Sequence, residues 1–345
     1  MSISNYIAVS GGGTGGHLKV ARTLIDELVS RGYKIVYIGS TSGQDKMWFE
    51  NYEKIEHKHF LNTKGVVNQG VFGKFKSLFN ILKASFEVKK VLKQYGVTKV
   101  ISVGGFSAAP AVFATLFSKI ELYIHEQNSK MGALNRLSSL WAKKLFTSYD
   151  KKFFLCDYPV DNMFFDTSHI RDEIKTIIFL GGSQGARAIN NFALYVAKDL
   201  QKRGIKIIHQ CGKNDFKKVE QAYLDLQIVD VELFDFSPDL VKYISQADLA
   251  VSRAGASTLW ELCANNLPTL FIPYPHAASD HQYYNALFLK EQKLGFVLRE
   301  SELDSKKFFE ILDTCNVRDL STKLKESIKA NGAGRIIDEI VSRES

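Results

Sequence analysis

Two stretches half a chain apart share one local pattern, and that recurrence constrains the fold more than any other feature. Tyr6 to Val9 reads as a short strand that runs straight into Ser10-Gly-Gly-Gly-Thr-Gly-Gly-His17. A helix follows from about Leu18 to Ser30, with Val20, Leu24, Ile25 and Leu28 at helical spacing. Gly32 ends it, and Lys34 to Ile38 is the next strand. The pattern restarts at Thr176 to Leu180, continues through Gly181-Gly-Ser-Gln-Gly-Ala-Arg187 into a helix to about Arg203, and returns as a strand over Ile205 to Gln210. A strand that turns through glycine into a helix and back to a strand opens a parallel, doubly wound unit. Two such openings in 345 residues predict two Rossmann-like α/β domains.

The intervening sequence fits. Further strands are expected at 97–103, 121–124 and 145–148 in the first half, with a helix around 107–118. In the second half they are expected near 231–234, 248–252 and 269–273. The boundary falls near 158–170, where Pro159 and a polar stretch interrupt the periodicity. Residues 318–345 read as a polar helical tail. Apolar residues make up 45% and charged residues 24%, which excludes disordered and fibrous classes. A net charge of +8 points to an anionic partner: nucleic acid, a membrane surface or a phosphorylated ligand. Cys156, Cys211, Cys263 and Cys315 are scattered without metal-ligand spacing and read as reduced thiols. The N-terminus runs directly into the first strand, so no signal peptide is expected. The longest apolar run, Ala108 to Phe117, is too short to span a bilayer.

Chemistry concentrates in four places. Gly11, Gly13 and Gly16 satisfy G-x-G-x-x-G, but the end of the second strand is Gly39-Ser40-Thr41, where a nicotinamide site wants an acid. No Walker A lysine follows either loop. What remains is backbone able to approach a diphosphate or sugar closely. His17 stands at a helix N-terminus, whose dipole favours the neutral imidazole and hence a general base; the alternative is a residue that bonds only its own loop. His125-Glu126-Gln127-Asn128 follows a strand, at the end that faces ligands in open α/β sheets; a satisfied polar turn is the alternative. Residues 251–285 read as strand, small-residue turn, helix, strand. The turn Ala254-Gly255-Ala256-Ser257-Thr258 makes a phosphate seat, and Glu261 lies one turn further, within reach of a ribose. Alternatively Ser257 and Thr258 merely cap the helix and Glu261 faces water.

Residues 64–93 carry seven lysines and one acid, Glu87, interleaved with Val66, Val67, Val71, Phe72, Phe75, Leu78 and Phe79. Lys74 and Lys76 with these apolar side chains suit an anionic membrane surface. A helix with one core face and solvated lysines is the plain alternative; nucleic acid is not expected to be the partner.

Read together, Gly-Gly-Thr-Gly-Gly-His at 12–17, Gly-Gly-Phe at 104–106, His-Glu-Gln-Asn at 125–128, Gly-Gly-Ser-Gln-Gly-Ala-Arg at 181–187 and the 252–285 segment closely resemble the MurG family. Its members are UDP-N-acetylglucosamine:lipid I N-acetylglucosaminyltransferases. The resemblance spans nearly the whole chain and implies a GT-B fold, two Rossmann-like domains separated by a cleft. It implies an acceptor- and membrane-binding domain over 1–160, joined by the last helix at about 330–345, and a UDP-N-acetylglucosamine domain over 161–329. Carried over by motif, Thr14, Gly15 and Gly16 face the donor sugar and diphosphate, and Asn128 bonds the sugar. Ser183 and the Ala256, Ser257, Thr258, Leu259 turn hold the phosphates, and Glu261 the ribose. Ser237 lies at the uracil, and His281 and Gln282 meet the sugar hydroxyls. His17 is the base and Glu126 a supporting acid or acceptor contact. Where the family has Asn-Pro-Val-Arg, this chain has Tyr158-Pro159-Val160-Asp161, so either another cation, Arg187 or Arg253, supplies the missing charge or the loop differs. The implied reaction inverts the sugar, uses no cofactor and, in the absence of an Asp-x-Asp triplet, no metal. The implied site of action is the cytoplasmic face of the plasma membrane. An epimerase of the same fold and a non-catalytic adaptor are the rival readings.

Overall fold

A computed structural model of the chain describes residues 5–63, 71–182 and 185–342, with backbone alone at 71–76 and 78. The chain divides into two compact units: 1–160 with 331–345, and 161–330.

The first unit is built on seven strands: β1 (Tyr6–Ser10), β2 (Lys34–Ser40), β3 (His57–Leu61), β4 (Lys99–Ser102), β5 (Glu121–Glu126), β6 (Lys144–Thr147) and β7 (Phe154–Leu155). They form one sheet in the order β3-β2-β1-β4-β5-β6-β7, and every pair is parallel. Ala8, Val36, Ile38, Val100, Leu122 and Ile124 bury one face against Val88 and Leu92 of the helix Val71–Gln94 and Ala111 and Val112 of the helix Ala109–Thr115. Helices cover both faces of such a sheet, which is why its strands read as unbroken apolar runs. The last helix, Gly332–Val341, belongs to this unit. Arg31 holds its Gly334 carbonyl at 3.0 Å and Asp338 at 2.5 Å, while Lys99 donates to the Ile340 carbonyl at 2.7 Å. A Cβ on Gly332 would lie 2.6 Å from the carbonyl oxygens of Asp157 and Tyr158, so only glycine allows this approach.

The second unit repeats the architecture with β8 (Thr176–Leu180), β9 (Lys206–Gln210), β10 (Val231–Phe234), β11 (Leu249–Ser252), β12 (Thr269–Phe271) and β13 (Phe296–Val297), in the order β10-β9-β8-β11-β12-β13, again all parallel. Ile177, Phe179, Ile207, Val251 and Leu270 pack on Ile189, Val196, Leu200 and Phe308. Arg171 is fully buried and satisfies carbonyls at two helix ends: its Nε donates to Ala247 at 3.1 Å, and its terminal nitrogens bond the carbonyls of Ile244 and Asn265 and the Asn265 amide oxygen.

Each sheet reverses strand order once, between β1 and β4 and between β8 and β11. Loops that leave the carboxyl ends of those neighbours diverge, and the crevice between them is where open α/β sheets bind ligands. Three strands escape the sequence reading: β3, whose His-Lys-His-Phe-Leu lacks apolar alternation, and the two-residue strands β7 and β13. The helix expected over 107–118 spans Ala109–Thr115 after one 3-10 turn, and the expected polar tail is two helices, Val317–Ser327 and Gly332–Val341, which lie in different units.

Candidate active site

In the first unit the loops after β1 and β4 touch. The Gly12 amide donates to the Gly104 carbonyl at 3.1 Å. A Cβ on Gly105 would sit 2.2 Å from the Gly12 carbonyl oxygen, so the glycines on both sides are a condition of the contact. The helix Gly15–Ser30 begins directly after, with Thr14 as its cap. Thr14 makes no capping bond; its hydroxyl lies 2.8 Å from His17 Nδ1. The far nitrogen, Nε2, lies 3.5 Å from where a Cβ on Gly104 would stand, so the ring is turned to the switch-point crevice. Thr14, expected to face the donor, thus orients the imidazole.

The four residues of the His-Glu-Gln-Asn motif separate by role. His125 is fully buried, edge-on to Tyr158 at 5.4 Å between ring centroids, and neither ring nitrogen has a hydrogen-bond partner among the described residues. Burial, with the nearby His17 in second place, pushes its pKa down to about 3 and keeps it neutral. Glu126 accepts from the Asn128 amide at 2.9 Å, the Gly132 amide at 3.0 Å and Asn135 Nδ2 at 2.8 Å. Those three bonds make it the organiser of the loop that presents Asn128. Gln127 donates to the Val103 carbonyl at 3.1 Å and ties the β5 end to the β4 end. Asn128 is partly exposed.

In the second unit, the Gly181 amide donates to the Gln210 carbonyl at 3.0 Å, and a Cβ on Gly185 would come within 2.6 Å of the Cys211 carbonyl oxygen. Ser183 lies outside the described residues. Asn190 braces this region: its amide nitrogen reaches the Cys211 carbonyl at 3.0 Å and Asp215 at 3.1 Å, and its oxygen lies 3.1 Å from His209 Nε2. His209 Nδ1 meets the Tyr223 hydroxyl at 2.9 Å, and burial pushes the histidine down to about 3. None of these braces was visible in the sequence, because they join four separate elements.

The helix Ala256–Ala264 starts after β11 with Gly255 as its cap, so its first turn is capped by no side chain of that residue. Ser257 and Thr258 lie inside the helix rather than at its cap, and Asn285 Nδ2 bonds the Ala254 carbonyl at 3.2 Å to hold the turn. Glu261 is 5% exposed. The Leu259 side chain is sealed in the core, and its amide donates to the Gly255 carbonyl at 2.9 Å. The Arg253 guanidinium donates to the carbonyls of Ile272 at 3.0 Å and Pro273 at 3.3 Å and pairs with Glu300. Arg187 is exposed at the first residue of the helix after the second glycine loop. Asp161 accepts the Met163 amide at 3.0 Å and so closes a local turn.

Gln282 and His281 open the helix His281–Glu291. Gln282 Oε1 accepts from the Tyr274 amide at 3.0 Å, and His281 Nδ1 lies 2.8 Å from the Ala278 carbonyl oxygen. Just before them Ser279 and Asp280 both hold positive φ, 54° and 53°, which costs non-glycine residues strain and is common at ligand sites. Ser237, in the loop after β10, accepts the Asp239 amide at 3.1 Å. Among the described residues no three His, Cys, Asp or Glu side chains come together as a metal site.

Val67 lies outside the described residues, and the side chains of Val71, Phe72, Lys74, Phe75 and Lys76 are not described. The helix Val71–Gln94 that carries them presents Phe79, Leu82 and Phe86, which are 69, 45 and 70% exposed.

The chain matches the glycosyltransferase family 28 N-terminal domain over residues 7–147 and the family 28 C-terminal domain over 176–340. It is 50% identical over 336 residues to the UDP-N-acetylglucosamine--N-acetylmuramyl-(pentapeptide) pyrophosphoryl-undecaprenol N-acetylglucosamine transferase of Campylobacter jejuni subsp. doylei, covering 97% of each chain. The protein of the same name from Helicobacter pylori strain J99 is 50% identical over 349 residues, covering 97% of this chain and 99% of the relative. The crystal structure of Acinetobacter baumannii MurG superposes with a TM-score of 0.82 at 26% identity, over 98% of this chain and 99% of the other. Two family domains, half-identity over nearly the full length and the shared GT-B architecture together place the chain in the MurG family of glycosyltransferase family 28.

Proposed function

We propose that this protein transfers N-acetylglucosamine from UDP-N-acetylglucosamine to the C4 hydroxyl of the muramyl sugar of lipid I, yielding lipid II with inversion. The half-identity to relatives named for that transfer carries the reading. It favours transfer over the epimerase and adaptor alternatives. The donor belongs to the second unit. The first turn of the helix Ala256–Ala264, with Ser257 and Thr258, offers positive potential to the diphosphate, and so does the N-terminus of the helix Arg187–Lys202. Arg187 adds a cation, Glu261 accepts from the ribose, the loop at Ser237 meets the uracil, and Gln282 and His281 meet the sugar. In the first unit His17 serves the acceptor, while Thr14, Gly15 and Gly16 are donor contacts for the sugar and diphosphate and Asn128 bonds the sugar.

Displacement at the sugar's anomeric carbon needs a base for the incoming hydroxyl and a sink for charge on the leaving diphosphate. His17 Nε2 takes the proton, with Nδ1 held by the Thr14 hydroxyl. The helix N-termini of the second unit hold the departing charge, and no cofactor or metal takes part. A peripheral anionic membrane contact, at the cytoplasmic leaflet where a lipid-linked acceptor resides, uses the apolar row Phe79, Leu82 and Phe86, Phe117 beyond the adjoining helix, and the lysines of 74–93. Among the described residues no helix is long and apolar enough to cross a membrane.

A radiolabelled transfer assay with UDP-N-acetylglucosamine and a lipid I analogue tests the reading; no labelled disaccharide product from the purified protein would reject it. In that assay His17→Ala is expected to lower kcat by about 10²- to 10⁴-fold with little change in the KM for the donor. Equal loss in both would remove His17 from the base role.

A further inference from the structure

The end of β2 lacks an acid, yet a carboxylate reaches the first glycine loop from five residues further on. Asp45 opens the short helix Asp45–Phe49 and is fully buried. Its Oδ2 accepts the Gly13 amide at 2.6 Å. Its Oδ1 accepts the Ser40 amide at 3.1 Å and lies 3.2 Å from the Tyr37 hydroxyl. That hydroxyl also donates to the Gly11 carbonyl at 3.0 Å. Burial, and then the Asp45 charge, raise the Tyr37 phenol well above its ordinary range and keep it a donor. One carboxylate and one phenol therefore clamp the loop at Gly11 and Gly13 and fasten it to the end of β2. The glycines are matched to the clamp. A Cβ on Gly12 would lie 2.6 Å from Asp45 Oδ1, and one on Gly43 would lie 2.9 Å from the Gly13 Cα.

We propose that Asp45, with Tyr37, is a positioning residue for the transfer reaction: it fixes the peptide of Gly13, and through it Thr14 and the His17 imidazole, against the Gly104 turn. This rests on the reading of His17 as the base. Asp45 itself meets no substrate. A charged acceptor hydrogen-bonded to a backbone amide is stiffer than a neutral one, and the loop has no side chains of its own to stiffen it. Without the clamp the chain at Gly11, Gly12 and Gly13 gains freedom, and the imidazole loses its single orientation. The residues assigned to the uridine, Ser237 and Glu261, belong to the other unit and are untouched by this contact.

Asp45→Asn must turn its amide NH2 toward one of three donors, so it removes at least one bond and the charge while keeping the size. The expected result is a kcat lower by about 10- to 100-fold, with the calorimetric Kd for UMP, which lacks the sugar and second phosphate, within about twofold of the parent. Tyr37→Phe, which keeps the carboxylate and both amide bonds, should lower kcat by about threefold with the same unchanged UMP affinity. In ¹⁵N spectra, the His17 ring signals should move in both variants and those of His209 should not. A folded Asp45→Asn protein with parental kcat, or with UMP binding weakened in proportion to kcat, overturns the proposal. Should Asp45→Asn not fold, Tyr37→Phe decides: parental kcat and unmoved His17 signals also overturn it. Failure of the transfer reading would show differently, as absence of product from the parent protein.

Discussion

At the scale of single residues, the site is a set of side chains whose freedom has been removed. Glu126 shows how. Its position suggested acid chemistry, but three donors consume its oxygens and make it a scaffold for the 128–135 loop. Glu126→Gln must face a donor with an NH2 group, at a cost of about 1–3 kcal/mol. We expect a lower melting temperature and a raised KM for the donor, whose sugar Asn128 is assigned to bond; steady-state kinetics with each substrate varied in turn would check it, and an unchanged donor KM would separate Asn128 from the sugar. His125 and His209 give a second test. Both are held near 3, against about 6.5 when unfolded. Between those values the unfolded chain binds more protons than the folded one, so stability is complete above about pH 6.5 and falls as pH drops below it. The loss is on the order of 2 kcal/mol for each histidine at pH 5. Thermal melts from pH 7.5 to 4.5 should show it, and His125→Leu should flatten the dependence. A pH-independent melting temperature across that range would contradict the burial of both rings.

At the scale of elements, the proposed phosphate seat depends on how the helix Ala256–Ala264 is entered. A side chain at the cap would occupy its first amides; Gly255 cannot. Asn285 reaches across to hold the Ala254 carbonyl, and Arg171 satisfies carbonyls at the other end of the helix. Glu261 rides on this rigid piece. If it accepts from ribose hydroxyls, Glu261→Gln should raise the donor Kd by about 10- to 100-fold, as loss of a charged hydrogen bond does. Calorimetry with UDP would measure this directly, and an unchanged Kd would remove Glu261 from the nucleotide site. Both glycine loops, both parallel sheets and the helix that follows each loop were legible from strand–glycine–helix spacing alone. β3 was not, because an edge strand pairing on one side tolerates charged residues that break the apolar pattern.

At the scale of the molecule, two units of like topology carry different surfaces. The first bears an exposed apolar row with lysines around it. Were this the membrane contact, replacing Phe79 and Phe86 by serine should reduce partitioning onto vesicles containing anionic lipid, while transfer to a soluble acceptor analogue stays at the parental level. Binding of the parent should also weaken as salt rises from 50 to 500 mM, since charge supplies part of the attraction. Salt-independent binding, or binding unaffected by the two serines, would place the contact elsewhere.

Sequence alone determined the α/β class, the two strand–glycine–helix openings and the residue types at the site. These follow from local chemistry: apolar runs make strands, glycines allow a tight turn, and neither needs a distant partner. Tertiary structure decided what each polar residue does. Arg253 pairs with Glu300 from a distant loop, and the Thr14 hydroxyl meets His17, neither of which the sequence showed. Asp45 had no visible role until Tyr37, Ser40 and Gly13 converged on it. A hydrogen bond is short-ranged and directional, so its partner is known only once the chain has brought remote segments within about 3 Å.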